Sequence, residues 1–451
     1  MNKKTLPLFF LILLAVTLAC DVEINTGGGD DAVATAVAGT QAALGGPGIT
    51  EMPPAATAGV PTPGVTPGVS PADTPAPGCL PAHPGPQSLP LPAGVAAGRN
   101  ETISFENLDE QTLSMRTVHD MTFMGEEWAH MAGTLSTGND NLPVVFFTLT
   151  AGGKLLRNVA NAISDVAPAA NLTSLVGAEG GPFIVYTTVD MMAQSVNRVY
   201  AGNYTDAASL QPVITWVPPQ EGHIGNAIRP LAVHTAGGAA DGFWYTYTME
   251  GIGNVNYPPY NGLYFFQLAT GQSVEYLGTA DALGGISPDQ TTIAYGAGQG
   301  GTPGVVRDGV TVRNLLTCQE TYIPFTPSSN LGGGWMEFSP DNQFIAWSEA
   351  GGPNNMEATF RMRVARTSGA SLFDAPSANM TSLLGGEVPA GLRPVGWIAD
   401  HLLVLEAYVS AVNHSVVIVW APDPAQPWDP VMGANQSAPI ADGNFLGFVY
   451  P

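Results

Sequence analysis

Residues 337–347 read EFSPDNQFIAW, and residues 285–295 read GISPDQTTIAY. Both stretches place a Ser-Pro-Asp turn between two apolar runs, and their aspartates, Asp289 and Asp341, stand 52 residues apart. A phrase that recurs at such a distance is typical of a fold built from repeated units of about 40–50 residues.

The same arrangement recurs more loosely along the chain, at intervals of 42 to 62 residues. An acidic residue precedes an apolar run at Glu126, Glu179, Asp241, Asp289, Asp341, Asp400 and Asp442. Each of these turns is short and polar, as a tight hairpin requires. The runs that follow, such as FIAW at 344–347 and LLVL at 402–405, are apolar at every position. We therefore expect small sheets that are packed on both faces.

A second hairpin follows in most units, as in residues 144–159, 262–277, 310–325 and 360–373. Two hairpins make a four-stranded sheet, and such sheets packed around an axis make a β-propeller. The sequence thus predicts an all-β fold, a seven-bladed β-propeller with six blades as the alternative. The last turn, at Asp442, leaves room for about one strand, so we expect residues 97–116 to complete that blade and close the ring.

The two Ser-Pro-Asp phrases resemble the Ser-Pro-Asp-Gly turn of TolB-like (WD-like) propeller repeats, with Gln290 and Asn342 in the place of the usual Gly. The phrases that contain Asp400 and Asp442 match more loosely, and the resemblance spans about residues 115–450. Because this family is a scaffold with many functions, the resemblance implies a fold and leaves the function open.

The N-terminus, MNKKTLPLFFLILLAVTLAC, predicts a signal peptide over residues 1–19. Its apolar stretch is shorter than the ~20 residues of a membrane-spanning helix. Val16 to Cys20 resemble the lipobox of bacterial lipoproteins, which implies a lipid on Cys20 and a location outside the cytoplasm, on the outer face of the cell membrane. An ordinary signal peptide with an accidental cysteine is the alternative.

Residues 20–96 are expected to form a disordered linker rich in Pro, Gly, Ala and Thr, ahead of a propeller over 97–451. No aromatic residue occurs in residues 11–104, so little apolar surface is available to offset the entropy of ordering. With Cys20 assigned to lipid, Cys79 and Cys318 remain as a possible disulfide in an oxidising compartment, and two free thiols are the alternative.

The composition excludes several classes of function. A chain with 14 Lys+Arg, 37 Asp+Glu and a net charge of −23 repels nucleic acids and anionic lipid surfaces. No phosphate-binding glycine loop, G-x-S-x-G or H-E-x-x-H motif occurs. His119 and Asp120 lack a nucleophile with a local signature, and the Met- and His-rich run 115–131 is interpreted as packing in preference to a copper site. We predict no catalytic residue, metal or cofactor.

A partner is expected to bind at the long connections between second and third strands, which lie opposite the tight turns. The candidate residues in these connections are Met191, Met192, Tyr257, Tyr260, Arg307, Asp308, Asn354 and Asn355. The rings of Tyr257 and Tyr260 could stack on a sugar or fill a pocket, and packing against a neighbouring loop is the alternative.

The functional prediction is a monomeric binding or scaffold module for an envelope protein or glycan, and not an enzyme. A propeller hydrolase or lyase with its site at the central channel and a structural envelope protein are the alternatives. Several His, Asp, Glu or Arg side chains that converge on the axis would favour the enzyme.

Overall fold

The computed structural model describes these parts of the chain: residues 81–88, 91–92, 94–99, 102–109, 114–122, 135–136, 145–149, 154–159, 162–168, 172–178, 181–190, 196–204, 206–217, 226–249, 260–299, 302–306, 308–353, 358–370, 372–374, 381, 383–398, 401–409, 414–422 and 437–450. Over residues 98–173 the description covers the backbone alone. Within the described residues, no helix has the length and apolar character needed to cross a membrane.

The strands of the N-terminal part form one three-stranded meander and the first strands of another sheet. They are β1 (Gly94–Arg99), β2 (Thr102–Asp109), β3 (Ser114–Thr122), β4 (Leu135–Ser136), β5 (Val145–Leu149), β6 (Lys154–Val159) and β7 (Ala162–Pro168). β1, β2 and β3 pair in order, as do β5, β6 and β7.

Four-stranded antiparallel units follow. The next is β8 (Leu172–Gly177), β9 (Phe183–Asp190), β10 (Val196–Asn203) and β11 (Gln211–Trp216), with a short 3-10 helix at Ala207–Ser209. It is followed by β12 (Asn226–Ala236), β13 (Ala239–Met249), β14 (Tyr260–Gln267) and β15 (Gln272–Ile286). The first half of β15 pairs with β14 and its second half with β16, so one long strand ends one unit and begins the next.

The remaining units follow the same order. The strands are β16 (Thr292–Gln299), β17 (Thr302–Val306), β18 (Gly309–Asn314), β19 (Glu320–Pro324), β20 (Gly332–Phe338), β21 (Phe344–Gly351), β22 (Thr359–Arg366), β23 (Leu372–Asp374), β24 (Gly391–Ile398), β25 (Leu402–Val409), β26 (His414–Trp420), β27 (Ser437–Asp442) and β28 (Asn444–Tyr450). β20 to β23 form one unit and β24 to β27 the next, while β17 bridges β16 and β20.

The two ends of the described chain meet in one sheet. β28 pairs antiparallel with β1, and Gly94 lies opposite Val449. The first strands of successive units adjoin one another, since β12 contacts β8, and β20 contacts both β15 and β24. Four-stranded units whose first strands adjoin, in a ring completed by both chain ends, make this fold a β-propeller. The number of blades, seven or six, stays a prediction.

Both Ser-Pro-Asp phrases form the predicted tight turns between first and second strands. In each, the serine hydroxyl contacts the aspartate carboxylate at 2.6 Å. Gln290 and Asn342 have φ values of 62° and 58°, which is the left-handed conformation that glycine adopts most readily. Gln290 and Asn342 thus replace the usual Gly of this turn at a position where the backbone conformation favours Gly.

The strand after each turn is buried on both faces, as predicted. In β21 every residue from Phe344 to Ala350 is buried, and in β25 every residue from Leu402 to Ala407. Trp347, Trp244 and Trp420 are fully buried between neighbouring sheets. Burial of each such side chain stabilises the fold by about 1.5–3 kcal/mol.

One predicted turn residue is misplaced. Asp241 lies within β13, and the hairpin itself is at Gly237–Gly238, where both glycines have positive φ values of 60° and 83°. The Asp241 carboxylate instead meets the ring of His234 at 2.5 Å. The two glycines provide the left-handed turn, so the acidic residue is not needed there.

Residues 81–88, which we call the N-terminal strap, lie against the tight turns. The Gln87 amide bonds the backbone of Thr235 in both directions, at 2.9 and 3.0 Å, and the Gln87 N–H donates to the Asp289 carbonyl at 2.8 Å. Tyr276 donates its hydroxyl to the Ala82 carbonyl at 2.7 Å. The ordered body thus extends further toward the N-terminus than the predicted boundary at residue 97, because these side chains bind a segment assigned to the linker.

Two histidines fix the strap to the body, His83 within the strap and His234 in β12. The His83 Nε2 lies 2.7 Å from the Gln290 carbonyl, and its Nδ1 accepts the Gly85 N–H at 3.0 Å. Since a carbonyl only accepts, Nε2 carries the hydrogen and the ring is neutral. Burial lowers the pKa of His83 below 6.5. The His234 Nε2 meets the Gly85 carbonyl at 3.1 Å.

Candidate functional site

Two of the predicted binding residues, Tyr260 and Asp308, belong to the described part of the chain. The others lie outside the described residues: Met191, Met192, Tyr257, Arg307, Asn354 and Asn355. Asp308 is exposed in the turn between β17 and β18, at φ 68°. Its carbonyl accepts hydrogen bonds from the Tyr322 hydroxyl and the Phe325 N–H, so Asp308 fixes the shape of this turn.

Tyr260 differs from its prediction in one respect, because its ring is not displayed on a loop. It is the first residue of β14, it is 8 % exposed, and it packs with Trp244 and Leu263 in a core cluster. This burial agrees with packing, the alternative given in the sequence analysis, although the contacts are with the sheet core and not with a neighbouring loop. Its outer edge nevertheless contributes to a site.

That site is a row of alternating cations and rings, which we call the arginine–aromatic cluster: Arg229, Tyr260, Trp335 and Arg393. The Arg229 guanidinium lies 5.4 Å from the centre of the Tyr260 ring. Tyr260 meets Trp335 edge-on at 6.4 Å. The Arg393 guanidinium lies 4.7 Å from the Trp335 ring centre. These distances are those of cation–π and T-shaped ring contacts.

The cluster draws on strands that are far apart in sequence. Arg229 comes from β12, Trp335 from β20 and Arg393 from β24, which are the first strands of three different units. First strands surround the axis of a propeller. Arg229 and Arg393 lie near the starts of their strands, away from the tight turns, so the cluster belongs to the inner wall on the long-loop side.

Trp335 has a strained backbone. Its φ is 53°, and the pairing of β20 with β21 shifts register between Gly334 and Glu337. A bulky residue with positive φ costs of order 1–3 kcal/mol, and such strain concentrates at functional sites. The bulge turns the indole out of the regular alternation of β20, toward Tyr260 and Arg393.

The two arginines differ in their partners. Arg393 donates to the Glu406 carboxylate through Nε at 2.8 Å and Nη2 at 2.5 Å. This pairing helps to hold the guanidinium over the Trp335 ring. Arg229 has its contact with Tyr260 and no ion pair to a carboxylate among the described residues. Within the part of the chain that the structure describes, Arg229 is thus the cation of this cluster that an anionic ligand could pair with.

Glu337 adds a titratable group beside the cluster. Burial raises the pKa of Glu337 to about 7, and the nearby Arg393 opposes that rise. Its backbone carbonyl accepts a hydrogen bond from the Trp397 indole at 3.3 Å. A carboxyl group whose pKa is raised in this way is a candidate for proton transfer.

The structure assembles no metal centre in the part of the chain that it describes, since no three His, Cys, Asp or Glu side chains come together there. His119 and Asp120 lie in β3, opposite Phe105 and Ser104. Most of the Met- and His-rich run after Thr122 lies outside the described residues.

Cys318 is disulfide-bonded. It occupies the turn between β18 and β19 at φ 59°, as Gly271 does between β14 and β15 at φ 66°. The other two cysteines of the chain, Cys20 and Cys79, lie outside the described residues. The pairing of Cys318 with Cys79 stays a prediction.

No family profile and no curated protein sequence matches this chain. Among solved structures, it is similar to the tricorn protease, with 13 % identity over 78 % of this chain and 34 % of that one, at a TM-score of 0.35. It is also similar to an oligogalacturonate lyase of Vibrio parahaemolyticus (10 % identity, 70 % and 88 % coverage, TM-score 0.44) and a periplasmic gluconolactonase of Pseudomonas aeruginosa (10 %, 78 % and 97 %, 0.43).

The sequence analysis missed four of the residues at this site: Arg229, Trp335, Glu337 and Arg393. One local signal was present, because three consecutive glycines, 332–334, precede Trp335 and glycine within a strand often marks a bulge. Nothing in the local sequence connects Arg229 with Arg393, since 164 positions separate them.

Proposed function

We propose that the protein is a lipid-anchored, extracytoplasmic binding module that recognises an acidic glycan of the cell envelope at the arginine–aromatic cluster. The observation that carries this proposal is the seating of two guanidinium groups on two touching rings, Arg229 on Tyr260 and Arg393 on Trp335. An acidic protein segment is the second partner class that this chemistry admits.

The chemistry of the cluster suits a sugar that carries a carboxylate. The face of a partly exposed indole can stack on a sugar ring, and guanidinium groups bind carboxylates through paired hydrogen bonds. The chain as a whole repels anions because its net charge is −23. Recognition of an acidic ligand therefore depends on local cations close to the ligand.

The binding experiment compares two amino sugars that differ in one group. N-acetylmuramic acid carries a carboxylate that N-acetylglucosamine lacks, and quenching of tryptophan fluorescence by either would report on contact near Trp335. We expect the acidic sugar to bind more tightly. Replacing Arg229 by Gln should weaken this binding about tenfold or more, since one charge-assisted hydrogen bond is worth about 1.5–3 kcal/mol.

Arg198→Gln is the matched control, because Arg198 lies in β10, outside the cluster, where it approaches Asp190 at 4.0 Å. It should leave sugar binding unchanged. Equal affinity for the two sugars, or equal loss in both variants, would contradict the acidic-glycan proposal. Pull-down with purified peptidoglycan and with envelope proteins then separates the two partner classes.

The anchor has its own test. We propose that Cys20 carries lipid and that the mature chain starts there, with residues after it acting as a linker. Replacing Cys20 by Ser should release the protein from the membrane fraction. Membrane association that survives this change would count against the anchor without affecting the binding proposal.

A propeller hydrolase or lyase is the second candidate, and Glu337 is the observation that favours it. A carboxyl with a pKa of about 7 beside Arg393 and an aromatic platform is suited to proton transfer at a bound acidic sugar. Incubation with acidic oligosaccharides should then give shortened products. Glu337→Gln should abolish turnover while leaving binding intact. Absence of both binding and turnover would leave the structural envelope protein as the explanation.

A further inference from the structure

A cavity lies at the long-loop end of the unit β20 to β23. Its volume is about 820 Å³, within the 300–1,000 Å³ range of small-molecule sites in proteins. One side is closed by residues 388–392, which lead into β24. Gly352 and Thr359 line it as well.

One wall of the cavity is apolar. Phe360 and Met362 of β22, together with Leu392 of β24 and Val388 before it, supply this wall. Met362 and Leu392 are buried in the core cluster between the two units, which holds the wall in place. Val388 is 67 % exposed, so this part of the wall faces solvent. An apolar group of a ligand could lie here.

The opposite wall contains the carboxylate of Glu349, which is fully buried and already satisfied. Its Oε1 accepts the Trp347 indole N–H at 2.9 Å, and its Oε2 accepts the Ser329 hydroxyl at 2.6 Å and the Thr326 N–H at 3.2 Å. Arg363 approaches the same oxygen at 3.6 Å. A buried charge needs such partners, and Glu349 therefore shapes the wall without being available to a ligand.

Two charged groups at the mouth remain accessible, and they have opposite sign. Arg361 is exposed and has one weak hydrogen bond, to the Thr326 hydroxyl at 3.5 Å. Asp374 uses one oxygen, Oδ1, on Arg363 Nε at 2.6 Å, while its side chain is 55 % exposed. Among the described residues, the cavity thus presents one exposed cation and one exposed carboxylate beside an apolar wall.

The charged residues among those described in the lining are Glu349, Asp374 and Arg361, and Glu349 is already satisfied within the protein. The exposed Arg361 and Asp374 therefore present opposite charges at one mouth, where a ligand with a single charge would meet one of them unfavourably. We propose that the cavity binds a small zwitterion with an apolar side chain, namely a short apolar peptide with free ends. Its carboxylate would meet Arg361, its ammonium Asp374, and its side chains the wall of Phe360 and Met362.

This proposal does not depend on the acidic-glycan proposal, since the two sites share no residue. Isothermal titration of the full chain with leucyl-leucine should show binding. The same peptide with an acetylated amine and an amidated carboxyl should bind at least tenfold more weakly, because its shape is kept and both charges are removed. Equal binding of the two peptides, or none of leucyl-leucine at 10 mM, would overturn the zwitterion proposal.

Arg361→Gln and Asp374→Asn each remove one charge from exposed positions, so the fold should survive, and thermal melting would verify it. Each should weaken leucyl-leucine binding about tenfold. The Arg198→Gln variant, in β10, is the matched control and should bind the dipeptide normally. If Arg361→Gln and Asp374→Asn bind as the unmodified chain does, the dipeptide binds elsewhere and this assignment of the cavity is wrong.

Discussion

Two separate variants, Gln290→Gly and Asn342→Gly, test the side chains of two turns. The turns have the same backbone conformation and differ in what surrounds the side chain. Both residues follow Ser-Pro-Asp, both have φ near 60°, and the N–H of each donates to its turn serine carbonyl, at 2.8 and 2.9 Å. Glycine relieves a left-handed strain of about 1–2 kcal/mol in either turn. It also adds about 0.5–1 kcal/mol of unfolded-state entropy. In each variant the relieved strain and the added unfolded-state entropy therefore largely offset each other, so the backbone contributes little to the change in stability.

The side chains decide the difference. The Gln290 amide is 2 % exposed, accepts the Trp244 indole N–H at 2.8 Å and donates to the Val233 carbonyl at 2.9 Å. Removing it leaves two buried polar groups unpaired, at about 1–3 kcal/mol each. We expect Gln290→Gly to lower the free energy of unfolding by about 2–5 kcal/mol.

Asn342 has much less to lose. Its Nδ2 lies 3.5 Å from the Thr291 hydroxyl, and its Oδ1 is buried without a hydrogen-bond partner. Burial alone would raise the pKa of Asp289, but hydrogen bonds from groups that include Asn342 lower it below its ordinary value, so some loss is expected. Asn342→Gly should change stability by about 1 kcal/mol or less, since weak contacts are offset by the relieved strain.

Urea unfolding, followed by both circular dichroism and tryptophan fluorescence, measures the two changes. The slope of the unfolding free energy against urea should stay the same in both variants, because the folded core is unaltered. Similar losses in the two variants would refute the reasoning. That result would mean that the hydrogen bonds of the Gln290 side chain to Trp244 and Val233 add no stability.

Three further predictions concern the strap, the ring and the cluster. Because the folded pKa of His83 is lowered from 6.5, its contribution to strap docking is full above pH 6.5 and falls as the pH drops below it. Hydrogen exchange of residues 81–88, corrected for intrinsic rates, should therefore be faster at pH 5 than at pH 7.5, and equal protection would contradict this. Gly396→Ala should destabilise the fold by about 2 kcal/mol or more, since its Cβ would lie 2.6 Å from Phe448 and its φ is 138°. Gly278→Ala is the control, because the nearest atom to a Cβ there is at 3.8 Å. Equal melting temperatures for the two alanine variants would exclude the clash. Glu337→Gln should raise stability at pH 8 by on the order of 2–3 kcal/mol and much less at pH 5. The folded pKa of about 7 makes the ionised carboxyl destabilising once the pH rises above the pKa of Glu337 in the unfolded chain. A gain that is the same at both pH values would point to packing.

The parts of the fold that the sequence predicted are those with local causes. The hairpins at residues 262–277, 310–325 and 360–373 occur as predicted, since each needs only a turn between two apolar runs. The prediction failed at Asp241, where the Gly237–Gly238 pair forms the hairpin and the acidic residue serves His234. The sequence analysis took the recurring acidic residue as the cause of the turn, whereas the turn forms because Gly237 and Gly238 adopt a left-handed backbone.

Sequence alone determined the all-β architecture of this protein, because apolar runs and turn residues act over a few positions. The strap and the arginine–aromatic cluster were decided by the tertiary structure. His83 meets Gln290 across 207 positions, and Arg229 shares a site with Arg393 although they belong to different blades. Ring closure brings first strands together around an axis whatever their separation in the chain, so the inner wall is composed of residues that no local pattern connects.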